Sequence, residues 1–171
     1  MALHSRDARR FFDFWNGMPK TGLLPDRASF NADILHELPT MTILEVISPE
    51  RIDLHLMGPG ACEALGFDPT GQNYLDLQSP EARALYVPLI EEQITRPCGR
   101  RNIVKMRHAD GIVTRAEAVT LPMHHAAGGH PMILSYFTTI DIVGFEEGGY
   151  QVLNFEDTEW IDIGAGIPAR R

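Results

Sequence analysis

At 171 residues, with 44% hydrophobic and 22% charged side chains, the chain has ordinary globular composition and enough length for one domain, which excludes disordered and collagen-like classes. Lys and Arg total 15 against 23 Asp and Glu, and the net charge of −8 argues against nucleic acid or an anionic membrane as a partner, since both are bound through many basic contacts. Cys62 and Cys98, far apart and without a CxxC pattern, give no disulfide framework or zinc ribbon, and no run of about 18 apolar residues offers a membrane span.

Without an apolar signal-peptide core at its start, the chain is expected in the cytoplasm. Residues 5–18 read as a helix: Ser5 is an N-cap, Ala8, Phe11, Phe12 and Trp15 recur at helical spacing, and Gly17 with Pro19 ends it. A polar connection, 22–30, leads to a short helix over 32–38, closed by Pro39. Residues 41–48 and 51–58 alternate around the turn Ser48-Pro49-Glu50 and read as a hairpin. One or two helical turns cover 60–65, stopped by Gly66 and Pro69, and 71–77 is a connector holding Tyr74. The longest helix runs over 80–94, capped by Ser79, with Pro88 predicted to kink or break it.

Three strands follow, 102–108, 112–123 and 130–143, joined by Asp110-Gly111 and by Ala126-Ala127-Gly128-Gly129. The tail, 150–171, is expected to add a helix or strand and then fray. The sum is an α+β fold: a single five-stranded antiparallel sheet in 2+3 order, inserted helices on one face, and an N-terminal helix.

The candidate chemical motifs are weak. Gly58-Pro59-Gly60 lacks the third glycine of a dinucleotide fingerprint, because position 63 is Glu63. His124 and His125 are adjacent on a strand and point to opposite faces, so with His130 they make no metal site. Neither cysteine sits in a nucleophile motif, and acidic pairs such as Glu91-Glu92 read as solvated faces. The basic residues are almost all arginine, lysine standing only at Lys20 and Lys105, a bias that carries no functional meaning alone.

The sheet is more informative. Met132, Leu134, Tyr136 and Ile140 share one parity, while Ile133 and Phe137 share the other, which implies a sheet covered on both faces. The inserted helices take one face. The apolar side of helix 5–18 takes the other, within the chain or across a two-fold axis, and a homodimer with Ala8, Phe11, Phe12 and Trp15 at the interface is the expectation.

The order of elements is that of the PAS fold, and the sequence resembles one bacterial subfamily of it, PAS_5. The resemblance rests on Phe14-Trp15, on Leu24-Pro25-Asp26-Arg27-Ala28-Ser29-Phe30, on Leu54-His55-Leu56-Met57-Gly58 and on Gly66-Phe67-Asp68-Pro69-Thr70-Gly71, over residues 9–143. The pattern departs at Asn31-Ala32, His55 and Pro59. It implies a PAS-like domain at 23–145, preceded by the helix and connection at 1–22 and followed by an extension at 146–171.

The resemblance further implies a sensory or regulatory module of bacterial signalling, not an enzyme, acting through a protein partner. Its pocket would lie between the sheet and the inserted helices, near Leu54, Leu56, Leu65, Tyr74, Leu85, Leu89, Val104, Val119 and Tyr136. No cofactor or metal is assigned; an unidentified small ligand is the candidate occupant. The rival reading is a small α+β-cone enzyme using a buried acid–base pair, such as His55 with Asp53 on one strand face or with a carboxylate from a neighbouring element.

Overall fold

The computed structural model describes residues 3, 5–125 and 128–169; two residues of the expected turn at 126–129 lie outside these. Helix α1 (Arg6–Gly17) begins at an extended Ser5 whose hydroxyl accepts from the Ala8 N–H at 2.9 Å. The connection after it is more ordered than its polar composition predicts. Lys20–Thr21 and Leu24–Pro25 form a two-residue ladder, and Arg27–Ser29 makes a 3-10 turn capped by Asp26. The helix expected over 32–38 is instead a 3-10 segment, Ala32–His36, capped by Asn31. Asp and Asn side chains compete for the first amides in such short segments and favour tight turns over a full helix.

Six strands build one antiparallel sheet: β1 (Thr42–Ser48), β2 (Arg51–Met57), β3 (Gly99–Arg107), β4 (Ile112–Met123), β5 (Met132–Phe145) and β6 (Gln151–Ile161), in the order β2-β1-β5-β4-β3-β6. The five-stranded expectation is therefore corrected. The segment after residue 150 is a strand paired with β3 from Arg107↔Gln151 to Gly99↔Ile161. Nor is the tail frayed through residue 169: Arg96 Nη1 donates to the Ile167 carbonyl at 2.9 Å, and Pro168 is buried.

Between β2 and β3 the chain crosses the inner face through α2 (Pro59–Leu65), a 3-10 segment Tyr74–Leu77 and α3 (Pro80–Thr95). The glycine pair that opens α2 has a packing role. A side chain on Gly58 would meet the Pro39 carbonyl oxygen at 2.3 Å, so the turn needs glycine for close approach. Gly66 ends α2 with φ +83, the left-handed cap that glycine adopts without strain. Helix α3 runs through Pro88 unbroken. Residues 84 and 88 are both exposed, so water can satisfy the carbonyl that Pro88 leaves without a donor.

The outer face of the sheet is closed by α1. Ala8, Phe11 and Trp15 are buried there with Ile43, Val119, Leu121, Met132, Leu134 and Tyr136, and Phe11 stacks on Tyr136 with centroids 5.6 Å apart. The polar groups of this layer are matched. Trp15 Nε1 donates to the Pro122 carbonyl at 2.9 Å, Arg101 Nε donates to Glu117 Oε1 at 2.7 Å, and the Ser5 amide donates to Glu117 Oε2 at 2.9 Å. Ala8, Phe11 and Trp15 are thus satisfied within one chain, and Phe12 is half-buried beside them.

The two-face reading of β5 holds only for its first half. Beyond Ser135 the ladder with β1 stops, and β5 continues beside β4 alone to Phe145. Ile140, expected in the covered layer, is 51% exposed, and Ile142, Val143 and Phe145 also face solvent, beyond the end of the ladder with β1.

Candidate ligand-binding cavity

The inner face alternates along each strand. Arg100, Asn102, Val104 and Met106 of β3, Ala118 and Thr120 of β4, Ser135 and Phe137 of β5, and Thr42 and Leu44 of β1 point the same way. Met57 at the end of β2 and Leu65, Tyr74 and Tyr86 of the crossover close over them, with Tyr150, Val152 and Phe155 from β6 and the residues leading into it. The enclosed volume is about 50 Å³.

One side is aromatic: Tyr86 sits edge-on to Tyr74 at 5.4 Å and tilted against Phe155 at 5.1 Å. Strand β6 supplies Phe155, so the sixth strand is part of the cavity wall as well as of the sheet.

Arg100 decides the electrostatics. The residue is 1% exposed, no carboxylate is paired with it, and its Nε and Nη1 have no hydrogen-bond partner among the described residues. Its guanidinium lies 5.0 Å from the Tyr86 ring centre, a cation–π contact, and the buried Tyr86 hydroxyl also lacks a partner.

Burial lowers the pKa of Arg100, with Tyr86 and Tyr74 opposing, yet a guanidinium stays protonated at neutral pH. Burial likewise pushes Tyr86 up and Tyr74 well up, so both phenols stay neutral. Two of the other polar groups are occupied: Asn102 Nδ2 donates to Thr158 Oγ1 at 2.6 Å, and Thr120 Oγ1 donates to Gln93 Oε1 at 3.1 Å. The cavity therefore carries one positive charge and no negative one.

No family model matches the chain, and no curated protein does. Solved structures do. A light-oxygen-voltage (LOV) domain studied with a flavin analogue is 15% identical, with a TM-score of 0.49 over 64% of this chain and 82% of that one. The LOV domain of the blue-light photoreceptor Aureochrome1 matches in its light state (15% identity, TM-score 0.48, 64% of this chain and 87% of that one). It also matches in its dark state (16% identity, TM-score 0.48, 72% and 86%).

Of the residues expected near a pocket, Leu65, Tyr74 and Val104 line the cavity. Leu54 is buried in the adjoining inner core without reaching it. Leu56, Val119 and Tyr136 belong to the opposite face. Val119 and Tyr136 are register partners and share the parity of Leu134, so all three point at α1. Leu85 is 46% exposed and Leu89 half-buried, because α3 turns Ala82, Tyr86, Ile90 and Gln93 inward. The expected stripe was one residue out of phase, about 100° around the helix.

His55 is not paired with Asp53 but with a carboxylate of the neighbouring strand, the other form of the pair that the enzyme reading allows. His55 Nε2 meets Glu45 Oε2 at 2.6 Å and Asp53 meets Arg51 at 2.8 Å, both away from the cavity. Among the described residues no three potential metal ligands converge. Arg100, Tyr86, Tyr150 and Phe155 are not singled out by the sequence. The available signal was alternation: a strand started at 99 rather than 102 puts Arg100 on the face of Val104.

Proposed function

We propose that the chain is a cytoplasmic PAS-like sensory module of the PAS_5 kind, in which a small molecule held in the inner-face cavity alters a contact with another protein. The cavity itself carries this reading: it is enclosed, mostly apolar and holds a few polar groups, as small-molecule sites do. The motifs Phe14-Trp15 and Leu24 to Phe30 support the subfamily, and both pack where α1 meets the outer face, Phe14 edge-on to Phe30 at 5.9 Å.

Output has a physical route through β6. This strand contributes Phe155 and Val152 to the cavity wall while its acidic side faces solvent, so a ligand that shifts Tyr86 against Phe155 reaches the surface in one step. A second copy of the chain or a separate signalling protein would read that change.

Native mass spectrometry of gently purified protein tests the reading. One small molecule retained per chain is expected. A chain that carries none, and whose melting temperature is unmoved by a small-molecule library, would sink it.

A further inference from the structure

The geometry points to Arg100 as the anchor of a small monocarboxylate, held in the inner-face cavity with its carboxylate on the guanidinium and its short carbon body against the apolar wall. This inference rests on the cavity being a ligand site, and it adds the chemical class of the ligand.

Charge balance is the first argument. An arginine cannot shed its proton to relieve burial, and a buried cation without a counter-charge is among the costliest features a fold can keep. Arg100 is 1% exposed, and none of the residues that line the cavity is Asp or Glu. The Tyr86 ring face offsets part of the deficit but accepts no hydrogen bond from Nε or Nη1. The next residue, Arg101, is buried too, at 5% exposure, and has a carboxylate at 2.7 Å. The fold therefore supplies a partner to one buried arginine of the strand and not to the other.

Donor inventory is the second. Arg100 Nε and Nη1 and the Tyr86 hydroxyl are buried donors without acceptors around one cavity. An ionised carboxylate is acceptor-only with about four lone-pair sites, which complements such a set.

Size and polarity are the third. With about 50 Å³ enclosed, the cavity has room for a few heavy atoms. One water needs roughly 10–15 Å³ of this kind of volume, so the cavity seats about four heavy atoms and the fitting acids have about two or three carbons. A tetrahedral dianion such as phosphate carries more charge than one guanidinium offsets, and Val104, Phe137 and Leu44 would strip its hydration without replacing it.

The test follows the Arg100 Nε–H resonance by ¹⁵N NMR while the intact chain is titrated with propionate, pyruvate, propionamide and inorganic phosphate. Propionate or pyruvate is expected to shift that resonance saturably and to raise the melting temperature. Propionamide, the neutral isostere, should bind at least about tenfold more weakly, and Arg100→Met should weaken propionate by at least about tenfold, since the charge-assisted bonds are lost.

Equal binding of amide and acid, or full propionate binding by Arg100→Met, overturns the proposal and leaves the cavity standing as a site for neutral ligands. Phosphate binding more tightly than the acids overturns the carboxylate assignment. No saturable shift with any probe overturns it as well, and retention of a small molecule by the wild type in native mass spectrometry then keeps the sensory reading alive separately. Should Arg100→Met fail to fold, Arg100→Lys replaces it: that variant keeps the charge but not the planar donor set, and undiminished propionate binding by it overturns the proposal.

Discussion

The two faces of the sheet solve the same problem differently. Arg100 and Arg101 are consecutive, 1% and 5% exposed, and point to opposite sides of β3. On the outer face Arg101 meets Glu117, Glu117 also takes the Ser5 amide, and α1 covers the group with Phe11 and Trp15. On the inner face Arg100 meets an aromatic ring and a cavity. A residue type therefore says little about role until its partners are counted. The outer layer has the closed accounts of a structural core, whereas the inner layer keeps unmet donors of the kind found at binding sites.

The sharpest way to break this contrast is to make the outer face resemble the inner one. Glu117→Ala removes the buried partner of Arg101, leaving only the exposed Glu159 carboxylate at 4.0 Å, and should lower unfolding free energy in urea by about 3–5 kcal/mol. Losing less than about 1 kcal/mol would mean that the two arginines are not in different states.

Close behind is Phe12→Asp with Trp15→Asp. Trp15 is 2% exposed within the chain's own outer core, so this variant should lose on the order of 3–5 kcal/mol even where the protein is monomeric. Sedimentation of the wild type in parallel separates the folding role from the expected dimer. A wild-type monomer assigns α1 to its own sheet alone, and a dimer that persists in a folded double variant places the interface elsewhere.

Alkali probes the edge of the inner layer. Burial pushes the Cys98 thiol up to about 11 from 9.0, with Arg100 pulling against it, so above pH 9 the unfolded chain releases a proton that the folded chain retains. Stability should hold below pH 9 and fall as pH rises from 9 to 11, by about 2–3 kcal/mol at the top of the window. The raised phenols of Tyr74 and Tyr86 extend the decline to higher pH. Chemical denaturation at pH 8 and pH 10.5 measures it, and Cys98→Ala should flatten the curve over the first part.

Removing the inner charge should act in the opposite direction from Glu117→Ala. Arg100→Met exchanges an unpaired cation for an apolar side chain of similar length and is expected to be neutral or stabilising by about 1–3 kcal/mol. Destabilisation as large as that of Glu117→Ala would show Arg100 to be a structural residue. The smallest effect is Ser5→Ala, about 1 kcal/mol, through loss of the hydroxyl cap on Ala8 while the amide bond to Glu117 is retained.

These differences also explain what could be read from the sequence. Helix α1, its Ser5 cap, the first hairpin and the strand over 112–123 follow from local signals, and the opposed parities of 132–137 correctly place α1 and the crossover on different faces. The cavity was less legible because its walls depend on register and on rotation. Tyr136 was expected in the pocket although its parity matched Leu134 on the α1 side. Leu85 and Leu89 outrank Tyr86 in apolarity, yet Tyr86 faces inward because α3 pivots on Ala82 and Ile90. In β6 the acids Glu156, Asp157 and Glu159 mask the alternation, and pairing with β3 rather than local propensity makes it a strand.

The half of β5 that runs on past β1 has a consequence for life at high concentration. Its outer edge has no ladder partner, and Ile140, Ile142, Val143 and Phe145 project from it at 44–70% exposure. Such an edge is a template on which a stray strand can grow, the first step toward insoluble stacks. One charge interrupts the run: Asp141, tied to Arg115 at 3.8 Å, stands between the two isoleucines. That carboxylate acts as a gatekeeper, repelling copies of itself whenever two edges approach in register, and without it residues 140–143 would become an unbroken apolar segment of high strand propensity.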